Sequence, residues 1–224
     1  MSARVSVAIL DQYATDEDSV MCSALSHTGL STLSEPVKAE SDSAATVALL
    51  ERPVTGLLLL RATGSAEALS KALIAQCGVA LSSRLRSNVK GEFCVRWMSP
   101  DSWLLSCPLD EAFSLENTLH KAVDGHMAVV NVSGGYTILE LSGVHARNVL
   151  MKSTGYDTHP DHLPVGKVVN TTFAKTQVTM QCLELGEASN RYELIVRRSF
   201  SDYVWLWLAR ASAEYGCESV DQTG

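Results

Sequence analysis

The chain has 224 residues, 46% hydrophobic and 19% charged, with a formal net charge of −7. That length suffices for one large domain or two small ones, each with its own core. An acidic balance without a basic stripe argues against a nucleic-acid partner, and no apolar run approaches the ~20 residues of a membrane helix, so no membrane association and a cytoplasmic location are the default expectations.

Soluble domains average nearer ~25% charged residues. The shortfall fits a subunit whose surface is partly covered by partners, because interface cores are depleted in charge; a compact, weakly charged monomer is the alternative. The excess acid sits early: Asp11, Asp16, Glu17, Asp18, Glu35, Glu40 and Asp42 face only Arg4 and Lys38 in the first 50 residues. Residues 1–52 are rich in Ser, Thr, Asp, Glu and Ala and weakly periodic. They read either as a loosely packed leader or as an arm ordered against a partner. Short helices are expected around Asp16–Ser26 and Asp42–Glu51.

From Thr55 onward the elements come in two rounds. Gly56–Arg61 is an apolar run suited to a strand. Thr63-Gly64 makes a turn, and Ser65 can cap a helix carrying Ala66, Leu69, Leu73 and Ile74 at helical spacing. Strands over Phe93–Met98 and Trp103–Cys107 flank the turn Ser99-Pro100-Asp101-Ser102, where Pro-Asp suits type I geometry. A helix over Asp110–Val123 and a strand over Met127–Val132 close the round.

The second round opens with a strand over Tyr136–Leu141 and a turn at Ser142-Gly143. A helix over Val144–Lys152 follows, with Ala146, Val149 and Leu150 on one face. One long strand is expected over Phe173–Leu185, then a strand over Tyr192–Val196 and a helix over Ser201–Tyr215. The [ST]-G turn recurs about 79 residues apart. The fold class is therefore α+β, with two consecutive ferredoxin-like (split βαβ) units over 53–132 and 133–216, an extended N-terminal arm over 1–52 and a short tail over 217–224.

On the last helix, Phe200, Val204, Trp207, Leu208, Ala211 and Tyr215 form one apolar stripe. Ser201-Asp202 supplies a cap, with Phe200 and Val204 at staple distance. Trp205 and Leu206 fall off the stripe, at ~100° per residue. Either a second layer of this chain covers them or another chain does, which makes both candidate interface residues.

No catalytic, cofactor-binding or metal constellation emerges. His159-Pro-Asp-His162 offers two imidazoles and a carboxylate, but no further ligand at metal spacing. It reads as a rigid turn whose His159 and His162 face solvent or a partner. Ser133-Gly134-Gly135 lacks the lysine and helix start of a phosphate loop and reads as a junction between the rounds. His145 reads as a surface or cap residue. Arg197-Arg198 reads as a solvated or ion-paired pair, with a carboxylate anchor as the alternative. The six scattered cysteines, with no C-x-x-C, read as reduced, buried thiols.

Several stretches carry a family likeness: RWMSPDSWLL (Arg96 to Leu105), SGGYTILELSG, MKSTGYDTHPDHLPVGKV, TTFAKTQVT and RSFSDYVWLWLARASAEYG. Together they span roughly residues 92–216, with 55–91 adding less. The chain resembles the gamma subunit of heterotetrameric sarcosine oxidase, a family related in fold to the folate-binding glycine-cleavage T-protein. The resemblance implies partner subunits alpha, beta and delta. It implies an assembly that oxidatively demethylates sarcosine to glycine, giving hydrogen peroxide, and 5,10-methylenetetrahydrofolate when tetrahydrofolate is present. FAD, FMN and NAD are implied for the large subunits and zinc for delta, with no cofactor on this chain and a structural role for it. Two alternatives stand beside this: a stand-alone folate-binding or aminomethyl-transfer protein, and the equivalent subunit of an oxidase for another N-methyl amine.

Overall fold

The computed structural model describes residues 46–123, 125–187 and 189–220. They form eleven strands in two sheets and four α-helices. The first sheet has the order β3-β4-β5-β2-β6, from Ser87–Lys90 (β3), Phe93–Ser99 (β4), Ser102–Cys107 (β5), Gly56–Ala62 (β2) and Met127–Asn131 (β6). Helices α1 (Ala66–Cys77) and α2 (Ala112–Ala122) belong to it. The second sheet has the order β11-β1-β7-β10-β9-β8. Its strands are Cys217–Val220 (β11), Val47–Glu51 (β1), Tyr136–Gly143 (β7), Asn190–Arg197 (β10), Thr176–Glu184 (β9) and Val168–Phe173 (β8). Helices α3 (Ala146–Ser153) and α4 (Ser201–Ser212) pack on it.

Strand alternation explains how the layers stack. In β2, Leu58 and Leu60 join the α1/α2 cluster, while Leu57 points the other way. Leu57 and Leu104 of the first sheet meet Ile138 and Ile195 of the second in a third cluster. The order of layers is helix, sheet, sheet, helix, with both sheets buried on two faces. Continuous apolar runs such as Leu57–Leu60 follow from that. Each fully buried leucine contributes ~1.5–3 kcal/mol.

Five sequence expectations need correction. Residues 47–51 are not helical: Val47, Leu49 and Glu51 alternate inward, and β1 pairs antiparallel with β7 and parallel with β11. Five residues with period two suit a strand better than a helix. Ser142-Gly143 is no turn, since both residues pair with β1 and β10. The long strand over Phe173–Leu185 is the far arm of a hairpin: Ala174 and Lys175 adopt φ of 47° and 69°, the left-handed geometry of a two-residue turn. Ile74 is exposed, because Leu69, Leu73 and Cys77 define the inner face of α1. Phe200 leaves the α4 stripe and is 44% exposed. The helix expected over Asp16–Ser26, and Cys22 within it, lie outside the described residues.

The caps also differ. Ser65 stands at the N-cap of α1, but its hydroxyl donates to the His126 carbonyl. Gly78 ends that helix at φ 68°, its N–H donating to Ile74, as a left-handed C-cap does. Ser201 Oγ donates to Arg198 rather than capping α4.

Candidate subunit-contact surface

Helix α4 carries both fully buried and exposed apolar side chains. Val204 and Leu208 are fully buried against the second sheet and α3. Trp205, Trp207, Ala211 and Tyr215 are partly buried on the same cluster, so Trp205 is held by its own chain. Leu206 is exposed at 37%, and Tyr203 and Phe200 at 42% and 44%. These three side chains are neighbours at i, i+3 and i+6 on the outward side. Tyr203 also tilts against Trp207, with ring centroids 6.4 Å apart. Trp207 Nε1 donates to Ser153 Oγ and ties α4 to α3.

The far end of α4 is closed by a cation. Lys152 Nζ donates to the Ala211 carbonyl and to Glu214, and lies 4.5 Å from the centre of the Tyr215 ring. A cation at a helix C-terminus is favourable there. The hydrogen bond from Lys152 holds the Glu214 carboxyl below its ordinary range, with Tyr215 adding to it. His145, at the start of α3, stacks on Tyr215 at 4.7 Å.

The histidine loop is a rigid turn anchored by Leu163, which is fully buried. The backbone N–H groups of His162 and Leu163 donate to the His159 carbonyl, and Asp157 Oδ1 accepts from the His159 N–H. The His159 and His162 rings are exposed, 3.3 Å and 3.5 Å from Asp161 and Asp157. They lie on separate carboxylates, and among the described residues no group of three metal-ligating side chains occurs. The loop leads to the Gly166 and Val165 carbonyls, which accept from Ser87 and Arg86 of the first unit.

Sequence reasoning missed the polar centre between the sheets. Arg96 on β4 is 2% exposed and Glu193 on β10 is fully buried. Arg96 Nε and Nη2 reach the two Glu193 carboxylate oxygens at 2.8 and 3.0 Å, a bidentate pair. Gln181 and Ser106 accept further bonds from Arg96, and Arg52 donates to Glu193 at 3.1 Å. The available signal was one opposite charge in the middle of each of two apolar strands, Val95-Arg96-Trp97 and Glu193-Leu194-Ile195. Nearby, Ser133 turns the chain from β6 to β7: its hydroxyl accepts from the Leu57 N–H and donates to Asn131. Arg197 lies over the Tyr136 ring at 5.6 Å. The recess beside Tyr136, lined also by Arg52 and Arg198, holds ≈ 10 Å³, about one water site.

Cys77, Cys94, Cys107, Cys182 and Cys217 are free and buried. Burial pushes Cys77 and Cys182 up to about 11 and Cys107 up to about 12. None is poised as a thiolate nucleophile. No helix among the described residues is long and apolar enough to cross a membrane.

A four-layer α+β body with an uncovered apolar side on its last helix is the class of protein that this geometry defines. The family model for "Sarcosine oxidase, gamma subunit family" matches residues 61–214, and the chain belongs to that family. Relatives include the sarcosine oxidase subunit gamma of Corynebacterium sp. (strain P-1), 34% identical over 69% of this chain and 71% of that one. The same subunit from Corynebacterium sp. (strain U-96) is 31% identical over 66% and 71%. Among solved structures, a chain of the heterotetrameric sarcosine oxidase from Corynebacterium sp. U-96 in complex with pyrrole 2-carboxylate superposes with a TM-score of 0.70 at 28% identity. That match covers 87% of this chain and 98% of the other. The glycine cleavage system aminomethyltransferase T from Bartonella henselae gives 0.60 at 14% identity over 86% and 58%, a likeness of fold alone.

Proposed function

We propose that this chain is the non-catalytic gamma subunit of a heterotetrameric sarcosine oxidase, bracing its flavin-bearing subunits. The observation that carries the reading is the superposition on a chain of the heterotetrameric enzyme over 98% of that chain's length, together with family membership. In this proposal alpha, beta and delta are the partners in the cytoplasm. FAD, FMN, NAD and tetrahydrofolate chemistry belongs to the large subunits and zinc to delta. The complex converts sarcosine to glycine with hydrogen peroxide, and yields 5,10-methylenetetrahydrofolate when tetrahydrofolate is supplied.

Leu206, with Tyr203 and Phe200, is the proposed contact on α4, and His159 and His162 form a second contact. Trp205 supports the first from below. Each sheet with its two helices is read as a ferredoxin-like unit. The order β4-β5-β2-β6 supports this for 53–132, with β3 added at the edge. In the unit over 133–216 the order β9-β10-β7 is the same, and β1 takes the next place.

The test is affinity purification of the tagged chain from its own host, with an absorbance spectrum and mass spectrometry. A yellow complex with two larger flavin- and nucleotide-binding subunits and a small fourth one is expected. A colourless, lone chain overturns the reading and favours a stand-alone folate-binding protein. Sarcosine-dependent peroxide formation by the purified complex separates sarcosine from other N-methyl amines.

A further inference from the structure

We infer that the groove beside the β4–β5 turn is a binding site for a small planar aromatic anion. The groove encloses ≈ 580 Å³, is open to solvent, and is lined by Ser82, Ser83, Arg84, Trp97, Pro100 and Trp103. That volume is within the usual range of small-ligand sites, roughly 300–1,000 Å³. Trp97 and Trp103 are register partners on adjacent strands, so both indoles project to one face of the first sheet. Trp103 is 6% exposed and is fixed by its Nε1, which donates to the Ser82 carbonyl at 2.9 Å. It forms a rigid floor, and the partly buried Trp97 forms a wall. Flat, apolar surfaces of this kind select a planar ring.

Two polar groups complete the site. Ser82 is 4% exposed, and its Oγ has no hydrogen-bond partner. A buried hydroxyl left unpaired is costly, and rotation of the Ser82 side chain toward the groove would let a ligand oxygen satisfy it. Arg84 is exposed at the mouth and makes no ion pair among the described residues. The neighbouring acid, Asp101, is engaged by Ser99 and Arg61, which hold its carboxyl below its ordinary range. The free charge at the mouth is therefore positive in a chain of net charge −7. Arg84 sets the sign of the ligand, and a guanidinium recognises a carboxylate well. The loop that carries Ser82 and Arg84 bends at Leu85, a non-glycine residue at φ 56°.

The probe is 2-naphthoate, titrated by calorimetry into the full-length chain in the assembly it forms in its host. The controls are 2-naphthylmethanol, which keeps the ring without the charge, and cyclohexanecarboxylate, which keeps the charge without the ring. Saturable one-to-one binding of naphthoate is expected, with both controls about tenfold weaker or more. Arg84→Gln should weaken naphthoate about tenfold and leave naphthylmethanol unchanged. Ser82→Ala should weaken it too, with no loss of thermal stability, since the hydroxyl has no partner to lose. Trp97→Ala should abolish binding. Absence of saturable naphthoate binding up to millimolar concentration overturns the site, as does equal binding by the Arg84→Gln and Trp97→Ala proteins. Protection of residues 82–84 from hydrogen exchange only when other subunits are present, without naphthoate binding, assigns the groove to a protein partner and overturns it as well.

Discussion

Arg96 and Glu193 form an ion pair, with Gln181 and Ser106 beside it, in the same intersheet layer as Leu57, Leu104, Ile138 and Ile195. Their mutual geometry decides whether the two sheets fit together. Removing Arg96 leaves Glu193 buried with only the half-exposed Arg52 as its cation, and breaking a buried pair in this way costs up to ~3–5 kcal/mol. Arg96→Met should therefore lower the denaturation midpoint steeply. The double change Arg96→Met with Glu193→Leu should recover most of that loss, because apolar pairs of similar volume often replace a buried ion pair without cost. A double mutant as unstable as the single one would show that Arg52 and Gln181, not the pair itself, depend on the charges. The thiols make a second residue-scale prediction. The folded chain keeps Cys77 and Cys182 protonated to about pH 11 and Cys107 to about 12, while an unfolded thiol titrates near 9. The native state thus binds more protons than the unfolded state above pH 9. Stability is full below that pH and falls as pH rises toward 11 to 12. Denaturant midpoints between pH 8 and 11 check the sign, and native thiols should resist alkylation at pH 8.

At the scale of elements, two turns tell how far local pattern carries. The Ser99–Ser102 turn was legible, because Pro-Asp between two strand-like runs has a local physical meaning. The Ala174-Lys175 turn was not, since neither residue favours positive φ and the strands on both sides are uniformly β-prone. Lys175 is exposed in a left-handed conformation, so Lys175→Gly should stabilise the hairpin by ~0.5–1 kcal/mol, after the entropy cost of glycine is set against the strain removed. An unchanged or lower melting temperature would speak against that geometry. Gly143 makes the opposite case. It sits at φ 122°, and a Cβ there would fall on the Thr46 carbonyl. Gly143→Ala should cost ~3 kcal/mol or more and detach β1, which amide exchange of Val47–Glu51 would report. Sequence marked Gly143 as a turn because an isolated glycine usually punctuates a strand. Here it admits a neighbouring backbone instead. Strand β1 was missed for a related reason: its partner β7 begins 85 residues later, so no local signal announces it.

At the scale of the whole molecule, the four helices and most strands of both rounds were readable from periodicity. The joining of the two sheets was not, because it depends on which faces meet. The outer side of α4 was half readable. Sequence singled out Trp205 and Leu206 as lying off the stripe, and the fold separates them. Trp205 packs on its own core and Leu206 stands with Tyr203 and Phe200 in solvent. The separation yields a test that distinguishes stability from assembly. Leu206→Asp adds a charge to an already exposed position, so the melting temperature of the chain should move little. If this side meets another subunit, the same change buries an unpaired charge in the contact and should reduce co-purification of the large subunits tenfold or more. Trp205→Asp should instead lower the melting temperature, with assembly lost only as a consequence. Tyr203→Asp should behave like Leu206→Asp. Normal assembly by both surface variants would remove α4 from the interface and leave the His159–His162 turn as the surface to mutate next.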